Sequence, residues 1–351
     1  MKRKRRLSLP AARRKIDSLN GEISGAIKTC LEYDMPLENP PTLFFQTNQQ
    51  NKKTGNRLVF GLHVLGTKES IAEALALKVA TEIAYDLGIK DIQFRVNTMG
   101  DKDSSQKFTR DLVVYLRKNI NALPAQAREA FKKDPFLALE ILEKKEHGLF
   151  ADIPKPMEYL STDSRKHFRE VLEYIETAEI PYELDDLLIK HRDCYSQTLF
   201  EARPYVHEGS LLSISGGRYD QLSRSLFGKE MPGVGIVFSL SCAKKVRPAP
   251  LLSIQKDPRV FFIHLGFEAK LKSLFVVEKL RTSRIPFYHS LVARQFSEEL
   301  HHADELSVPY IVIMGQREAL EDAVIVRNRE TRAQEVVPIE TLSDYLHTIR
   351  A

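Results

Sequence analysis

Ser215-Gly216-Gly217-Arg218-Tyr219-Asp220-Gln221-Leu222 is the stretch on which the reading of this 351-residue chain turns. Before it, Ser210 to Ser215 reads as a strand. The glycine pair reads as a tight turn, the commonest use of two adjacent glycines. After it, Gln221 to Leu226 has the spacing of a short helix. Arg218 and Asp220 are close enough in sequence to form a local ion pair. Strand, turn and helix in this order are common, so the neighbours must decide what the junction belongs to.

Upstream, Ser196 to Ala202 is a second strand-like run. Thr42 to Gln46 and Arg57 to Leu65 are two more, joined by a polar loop over 47–56 that ends in Thr54-Gly55-Asn56, which predicts a hairpin. Ile71, Leu75, Val79, Ile83 and Leu87 recur every four residues, predicting a helix capped by Thr67 and stopped by Gly88. Ile92, Phe94 and Val96 alternate with polar neighbours, as in a half-buried strand. From about Gln106 to Ala178 the chain is helical and highly charged, broken at Pro124, Pro135, Pro154 and Pro156, with an N-cap offered at Ser161-Thr162-Asp163. Leu251 to Pro258 reads as a linker. Beyond it come strands at Val260–His264, Pro286–His289 and Tyr310–Met314. Helices are expected at Glu268–Thr282 and Phe296–Leu306, then a hairpin around Arg329-Glu330-Thr331 and a helix over Ile339–Ile349. This alternation predicts a largely parallel sheet covered by helices.

With 43% hydrophobic and 28% charged residues the composition is that of a globular protein. No apolar run approaches the roughly 20 residues of a membrane span. Cys30, Cys194 and Cys242 are far apart and lack metal spacing, which suggests a reducing, cytoplasmic setting without a disulfide framework. The +5 net charge is uneven. Lys2, Arg3, Lys4, Arg5, Arg6, Arg13, Arg14 and Lys15 all precede Asp17. Three readings stay open for this 1–19 tail: a solvated tail, an arm on phosphate backbones, or a transit peptide lacking a clear amphipathic face.

Ser215 to Leu222 resembles the Gly-Gly-Gly-Arg-Tyr-Asp-x-Leu signature of histidyl-tRNA synthetases, with Ser215 in place of the first glycine. Leu188 to Glu201 looks like that family's Leu-Val-Arg-Gly-Leu-Asp-Tyr-Tyr-Thr-Arg-Thr-Val-Phe-Glu segment. Gly233-Val234-Gly235-Ile236 resembles the start of class II motif three. Gly266 to Leu346 resembles the family's anticodon-binding domain. The resemblance implies an α+β chain with an antiparallel class II core at 20–105 and 181–250. It also implies a helical insertion domain at 106–180 and an anticodon-binding-like domain at 259–351. Glu22 and Ser24 match the family's Glu-x-Thr histidine-binding turn. The 351 residues offer no counterpart of the motif one dimer helix before them, which puts the family's usual dimer in doubt and leaves open whether the start is natural or mis-called.

The resemblance also locates the chemistry. Amino-acid activation builds negative charge at the α-phosphate, and preorganised cationic donors must meet it. Arginine suits the task because its fork holds two oxygens and stays charged. In motif two, Phe45-Gln46-Thr47-Asn48 stands for Phe-Arg-x-Glu, so Gln46 and Asn48 bring no charge. In motif three, Ser241-Cys242 stands for Glu-Arg. The family's catalytic arginine aligns with Lys190, and Arg192 lies two positions on. In the histidine pocket, Val59-Phe60-Gly61-Leu62-His63 replaces Gln-x-Gly-x-Glu, so His63 stands where a carboxylate would receive the imidazole. Cys194 replaces one tyrosine and Tyr195 keeps the second; Gly216, Gly217 and Arg218 complete the pocket. Losing two such arginines would cost on the order of 10⁴–10⁶ in rate if the effects added.

Two expectations follow. The first is a catalytically impaired or inactive histidyl-tRNA synthetase-like protein that binds tRNA or a protein partner through its C-terminal domain. Arg294, Arg317, Arg327, Arg329 and Arg332 are its candidate phosphate contacts. The second is a divergent active histidine–tRNA ligase, with Lys190, Arg192 and Lys52 or Lys53 replacing the missing arginines. ATP and Mg²⁺ belong to the chain only on that second reading. A histidine-biosynthesis regulatory subunit is a third candidate, but such paralogues usually lack the 259–351 domain. A homodimer is the other partner the family implies. His191, His301 and His302 have no metal-ligand companions and are expected at the surface.

Overall fold

The computed structural model describes residues 18–32, 42–51, 55–189, 195–207, 210–242, 257–290 and 295–349. The chain runs α1 (Ser18–Glu32), β1 (Thr42–Asn51), β2 (Gly55–Leu65), α2 (Ile71–Asp86), β3 (Phe94–Thr98), α3 (Lys102–Lys118), α4 (Ala125–Phe131), α5 (Pro135–Lys144) and α6 (Thr162–Thr177). It continues through β4 (Tyr182–Leu184), β5 (Thr198–His207), β6 (Ser210–Arg218), α7 (Asp220–Phe227) and β7 (Gly233–Cys242). The last third holds β8 (Val260–His264), α8 (Phe267–Thr282), β9 (Phe287–His289), α9 (Phe296–Glu305), β10 (Tyr310–Met314), α10 (Gln316–Leu320), β11 (Ala323–Asn328), β12 (Gln334–Pro338) and α11 (Leu342–Thr348).

The first sheet, in the order β1-β2-β7-β6-β5-β3-β4, is antiparallel except for the β3–β4 edge pair. Side chains alternate across it. Leu62, Val64, Val234, Ile236, Phe238, Ile214 and Phe200 face one side and form one core with α2 and α6. The expected 47–56 loop is mostly strand, because β1 pairs with β2 from Thr42↔Val64 to Asn51↔Gly55.

Helix α2 forms where the four-residue period placed it, but another stripe carries the burial. Ala72, Ala76, Ala80 and Ala84 are fully buried against the sheet, Leu75, Val79 and Ile83 are half-buried, and Leu87 is exposed. Methyl side chains let helix and sheet approach closely, so packing overrides hydrophobicity here. Ser70, not Thr67, occupies the N-cap position. Gly88 ends the helix with a left-handed φ of 83°, as expected. Ser161 caps α6, accepting from the Ser164 amide at 3.2 Å.

The helical stretch has no core of its own. Phe168, Val171 and Ile175 of α6 join the sheet's core. Phe108, Leu112, Leu116 and Leu139 of α3 and α5 share a second core with α1, Leu65, Tyr195 and Tyr219. The C-terminal sheet runs β12-β11-β10-β8-β9. Strands β8, β9 and β10 are parallel, as the alternation predicts. Strands β11 and β12 are antiparallel instead, because a tight hairpin joins them and a parallel pair needs a long crossover. Helix α8 docks this unit on the first. Leu274 packs on Ile71, Ala74 and Tyr174, Lys270 pairs with Glu69, and Arg281 reaches Glu82 at 2.6 Å. Among the described residues no helix is long and apolar enough to cross a membrane.

Candidate functional site

The sequence signature does not form a turn. Gly216, Gly217 and Arg218 are the last residues of β6, and Tyr219 precedes α7. The glycines are there for close approach. A Cβ on Gly216 would lie 2.2 Å from the Gly235 carbonyl oxygen, and one on Gly217 would lie 2.6 Å from that of Thr198. Tyr195 packs over Gly217, 2.9 Å from where a Cβ would sit, and the Ser196 amide donates to the Arg218 carbonyl at 2.8 Å.

Arg218 is 1% exposed and binds no external group. Its Nε donates to Glu73 Oε1 at 2.7 Å and its Nη2 to Glu73 Oε2 at 2.5 Å. The Thr67 and Glu69 carbonyls accept at 2.8 and 3.1 Å, and Asp220 Oδ1 at 3.3 Å. All five guanidinium donors are therefore satisfied by the protein. This corrects the expected ligand role: Arg218 has no donor left for a substrate. The Asp220 contact is the longest of the five, so the local pair is secondary to Glu73. Asp220 instead accepts from the Gly233 amide at 2.9 Å.

Glu73 is wholly buried and also meets His167 Nε2 at 2.7 Å. Burial pushes its carboxyl pKa up, but the charges and hydrogen bonds of Arg218 and His167 outweigh that and hold it at about 2. Glu73, Thr67 and His167 went unremarked in the sequence. One signal was available: Glu73 is an acid between two buried alanines, Ala72 and Ala74, and buried carboxylates require partners.

His63 lies on the opposite face of the sheet, fully buried. Its Nδ1 meets Tyr219 Oη at 2.8 Å. Across the strands it pairs with Gly235, where a Cβ would lie 2.3 Å from that same nitrogen. The glycine thus makes room for the imidazole. Burial lowers the His63 pKa to about 4, so the ring is neutral at neutral pH.

Gln46 pairs with Phe60 and Asn48 with Leu58. Directly opposed residues share a face. Phe60 lies on the α2 side and stacks on Phe238 at 4.5 Å. Cys242 pairs with Asn56 at the far end of β7. The side chains of Gln46, Asn48, Cys242 and Glu22 lie outside the described residues, as do Lys190, Arg192, Cys194, His191 and Arg294 entirely. Glu22 and Ser24 fall within helix α1 rather than in a turn.

The arginines of the C-terminal unit form two groups. Arg317, on α10, pairs with Glu321 at 2.9 Å. Arg327, Arg329 and Arg332 lie at the opposite end of β11, beside the start of β10. A strand rises about 3.3 Å per residue, so the groups are well over a dozen ångströms apart. His302 is not simply a surface residue: its ring meets those of Phe261 and Tyr288 edge-on at 5.4 and 5.1 Å. Among the described residues no cluster of three or more metal-ligating side chains occurs.

An antiparallel sheet backed by α2 and α6, followed by a small mixed α/β unit, makes an α+β architecture. A model described as an anticodon binding domain matches residues 259–349. The histidine–tRNA ligase of a Geobacillus species is 27% identical over 291 residues, covering 82% of this chain and 69% of that one. The histidine–tRNA ligase of Listeria monocytogenes serotype 4b is 28% identical over 338 residues, covering 93% and 76%. Among solved structures, apo S. aureus histidyl-tRNA synthetase aligns at a TM-score of 0.49 and 21% identity, covering 91% of this chain and 80% of that one. Over most of its length this chain is similar to histidine–tRNA ligases at 27–28% identity, and its last quarter matches an anticodon binding domain.

Proposed function

We propose that this protein binds RNA of the tRNA class through its anticodon-binding-like domain and does not ligate histidine to it. On this reading 20–105 and 181–250 form a retained scaffold, 106–180 its helical insertion, and 259–351 the RNA-binding part. His63 carries the argument. Where the resemblance calls for a carboxylate to receive the substrate imidazole, a neutral imidazole sits against Tyr219 and over Gly235. Replacing an anion by a buried neutral ring removes the charge that would orient a bound histidine, and the ring fills space as well. Arg218 adds nothing to the site, because Glu73, Asp220 and the 67–69 backbone take all its donors. Gln46, Asn48, Ser241 and Cys242 add neither the carboxylates nor the guanidinium groups that activation requires.

RNA binding rests on the 259–349 domain match and on Arg327, Arg329 and Arg332 grouped at one end of its sheet. ATP–pyrophosphate exchange driven by histidine, run beside a tRNA-binding titration, tests both halves. Binding without exchange is the expected outcome. Robust exchange would overturn the reading and establish a divergent ligase that uses ATP and Mg²⁺. Absence of RNA binding would remove the other half and leave a protein partner as the candidate.

A further inference from the structure

The junction between the two units carries a pair of imidazoles. Helix α8 lies on α2 and α6, and near its start the buried Lys270 pairs with Glu69 of the 67–70 turn. The core holds that turn in place. Arg218 donates to the Thr67 and Glu69 carbonyls, and the Ser70 hydroxyl donates to Glu170 of α6 at 2.8 Å. His264 ends β8 and His289 ends β9. Their rings meet, with His289 Nε2 3.2 Å from His264 Nδ1, and the His289 ring stacks on Phe262 at 5.1 Å.

Only one proton fits between the two facing nitrogens, so one ring donates and the other accepts. The far nitrogen of His264, Nε2, is buried and has no hydrogen-bond partner among the described residues. A cationic His264 would carry an N–H and a charge there with no acceptor to meet them, which is costly. Lys270 of α8 opposes a cation on either ring, and Glu69 of the turn favours one on His264. The strand neighbours, Phe262 and Met314, are apolar. Burial, then the Lys270 ammonium, push His264 down to about 4 against the pull of Glu69. Burial, His264 and Lys270 push His289 well below the ordinary range. Glu69 belongs to the core and acts on His264 across the junction, so the docked surfaces meet at these rings.

We propose that this junction is a proton-operated gate: the C-terminal unit stays docked while His264 and His289 are neutral and lifts from the core as they become cations. Lifting hydrates both rings and the Lys270 ammonium. Between the 6.5 of a free imidazole and about 4, the docked form holds fewer protons than the open one. Falling pH therefore favours opening through that window, by up to about tenfold per pH unit for each ring that titrates. Glu73, held at about 2, contributes nothing there. The gate is independent of whether the chain binds RNA or ligates histidine.

The chain has no tryptophan, and Phe267 of α8 meets Tyr174 of α6 across the junction at 6.1 Å, so Phe267→Trp gives a single reporter. The test follows its emission, and the radius of gyration by small-angle X-ray scattering, in the full chain from about pH 7.5 down to 5. Circular dichroism follows the separate folds. Red-shifted emission and a larger radius are expected toward pH 5 with unchanged circular dichroism, and neither in a His264→Phe, His289→Phe double variant. A parent that stays closed to pH 5 overturns the proposal, as does equal opening in the double variant. So does loss of the circular dichroism signal in step with the emission, which is global unfolding. If the double variant does not fold, the imidazole C–H resonances of the parent decide. Midpoints depressed below 6.5 and coincident with opening uphold the gate; rings that titrate near 6.5 in a compact chain are already hydrated and sink it.

Discussion

Arg218 and Glu73 set the largest residue-scale stake in this molecule. Both are buried, and each is the other's main partner. Removing one member of such a pair strands a charge, at a cost of about 3–5 kcal/mol. Arg218→Ala is therefore expected to lower the urea midpoint sharply, and Arg218→Lys to recover only part of it, since an ammonium offers three donors to five acceptors. Titration gives a second residue-scale expectation. The folded pKa of His63, about 4, lies below the 6.5 of a free imidazole. Between those values the unfolded chain binds more protons, so stability falls as pH drops from 6.5 toward 4 and levels below it. Half-buried His264 and His289 act in the same direction. Glu73 adds a further loss from about 4.5 down through 2, since its folded pKa is depressed. Between pH 6.5 and 5 the His63 share is about 2 kcal/mol. Urea melts across that interval should show a shallower loss in His63→Gln than in the parent; equal slopes would mean the ring is solvated.

At the scale of elements, the strands meet through glycines whose neighbours differ in how easily they move. Gly235→Ala pushes a methyl into the His63 ring, and Gly216→Ala pushes one into a carbonyl of β7. Overpacking of this kind costs about 1–3 kcal/mol. The His63 ring can be removed and the carbonyl cannot. A Gly235→Ala, His63→Ala cycle should therefore show favourable coupling of about 1 kcal/mol or more, while Gly216→Ala with His63→Ala should be additive. Element positions were legible in the sequence because period and punctuation are local: α2 stops at Gly88, α6 starts at Ser161, and β8 to β10 alternate with helices as expected. What packs on what was less legible. The alanine stripe of α2 was passed over for its larger aliphatics. The signature glycines read as a turn although their role is decided by Thr198 and Gly235, each 18 or 19 positions away and so beyond any local pattern. His63 could be flagged as a departure, but its bond to Tyr219, 156 positions away, could not be read from spacing.

At the scale of the whole molecule, α8 holds the C-terminal unit against α2 and α6. Leu274 and the Tyr174–Phe267 ring contact at 6.1 Å supply its apolar part. The exposed Arg281–Glu82 pair contributes at most about 1 kcal/mol. Leu274→Asp is thus expected to undock the unit, seen as faster proteolysis of the 243–258 connection with the separate folds intact, whereas Arg281→Ala is not. On the proposed RNA-binding function, affinity should fall with salt, and replacing Arg327, Arg329 or Arg332 by alanine should each reduce the slope of log affinity against log salt by about 1. Variants that leave the slope untouched would move the RNA contact elsewhere.

The five bonds of Arg218 have a consequence for how such chains persist. Glu73 of α2, Asp220 of α7 and the backbone of residues 67–69 all converge on one guanidinium, and His167 of α6 shares its carboxylate partner. Selection for folding alone is enough to preserve it. A chain of this fold can therefore keep the same peptide whether or not it catalyses anything, and the peptide reports a folding requirement rather than certifying a trade.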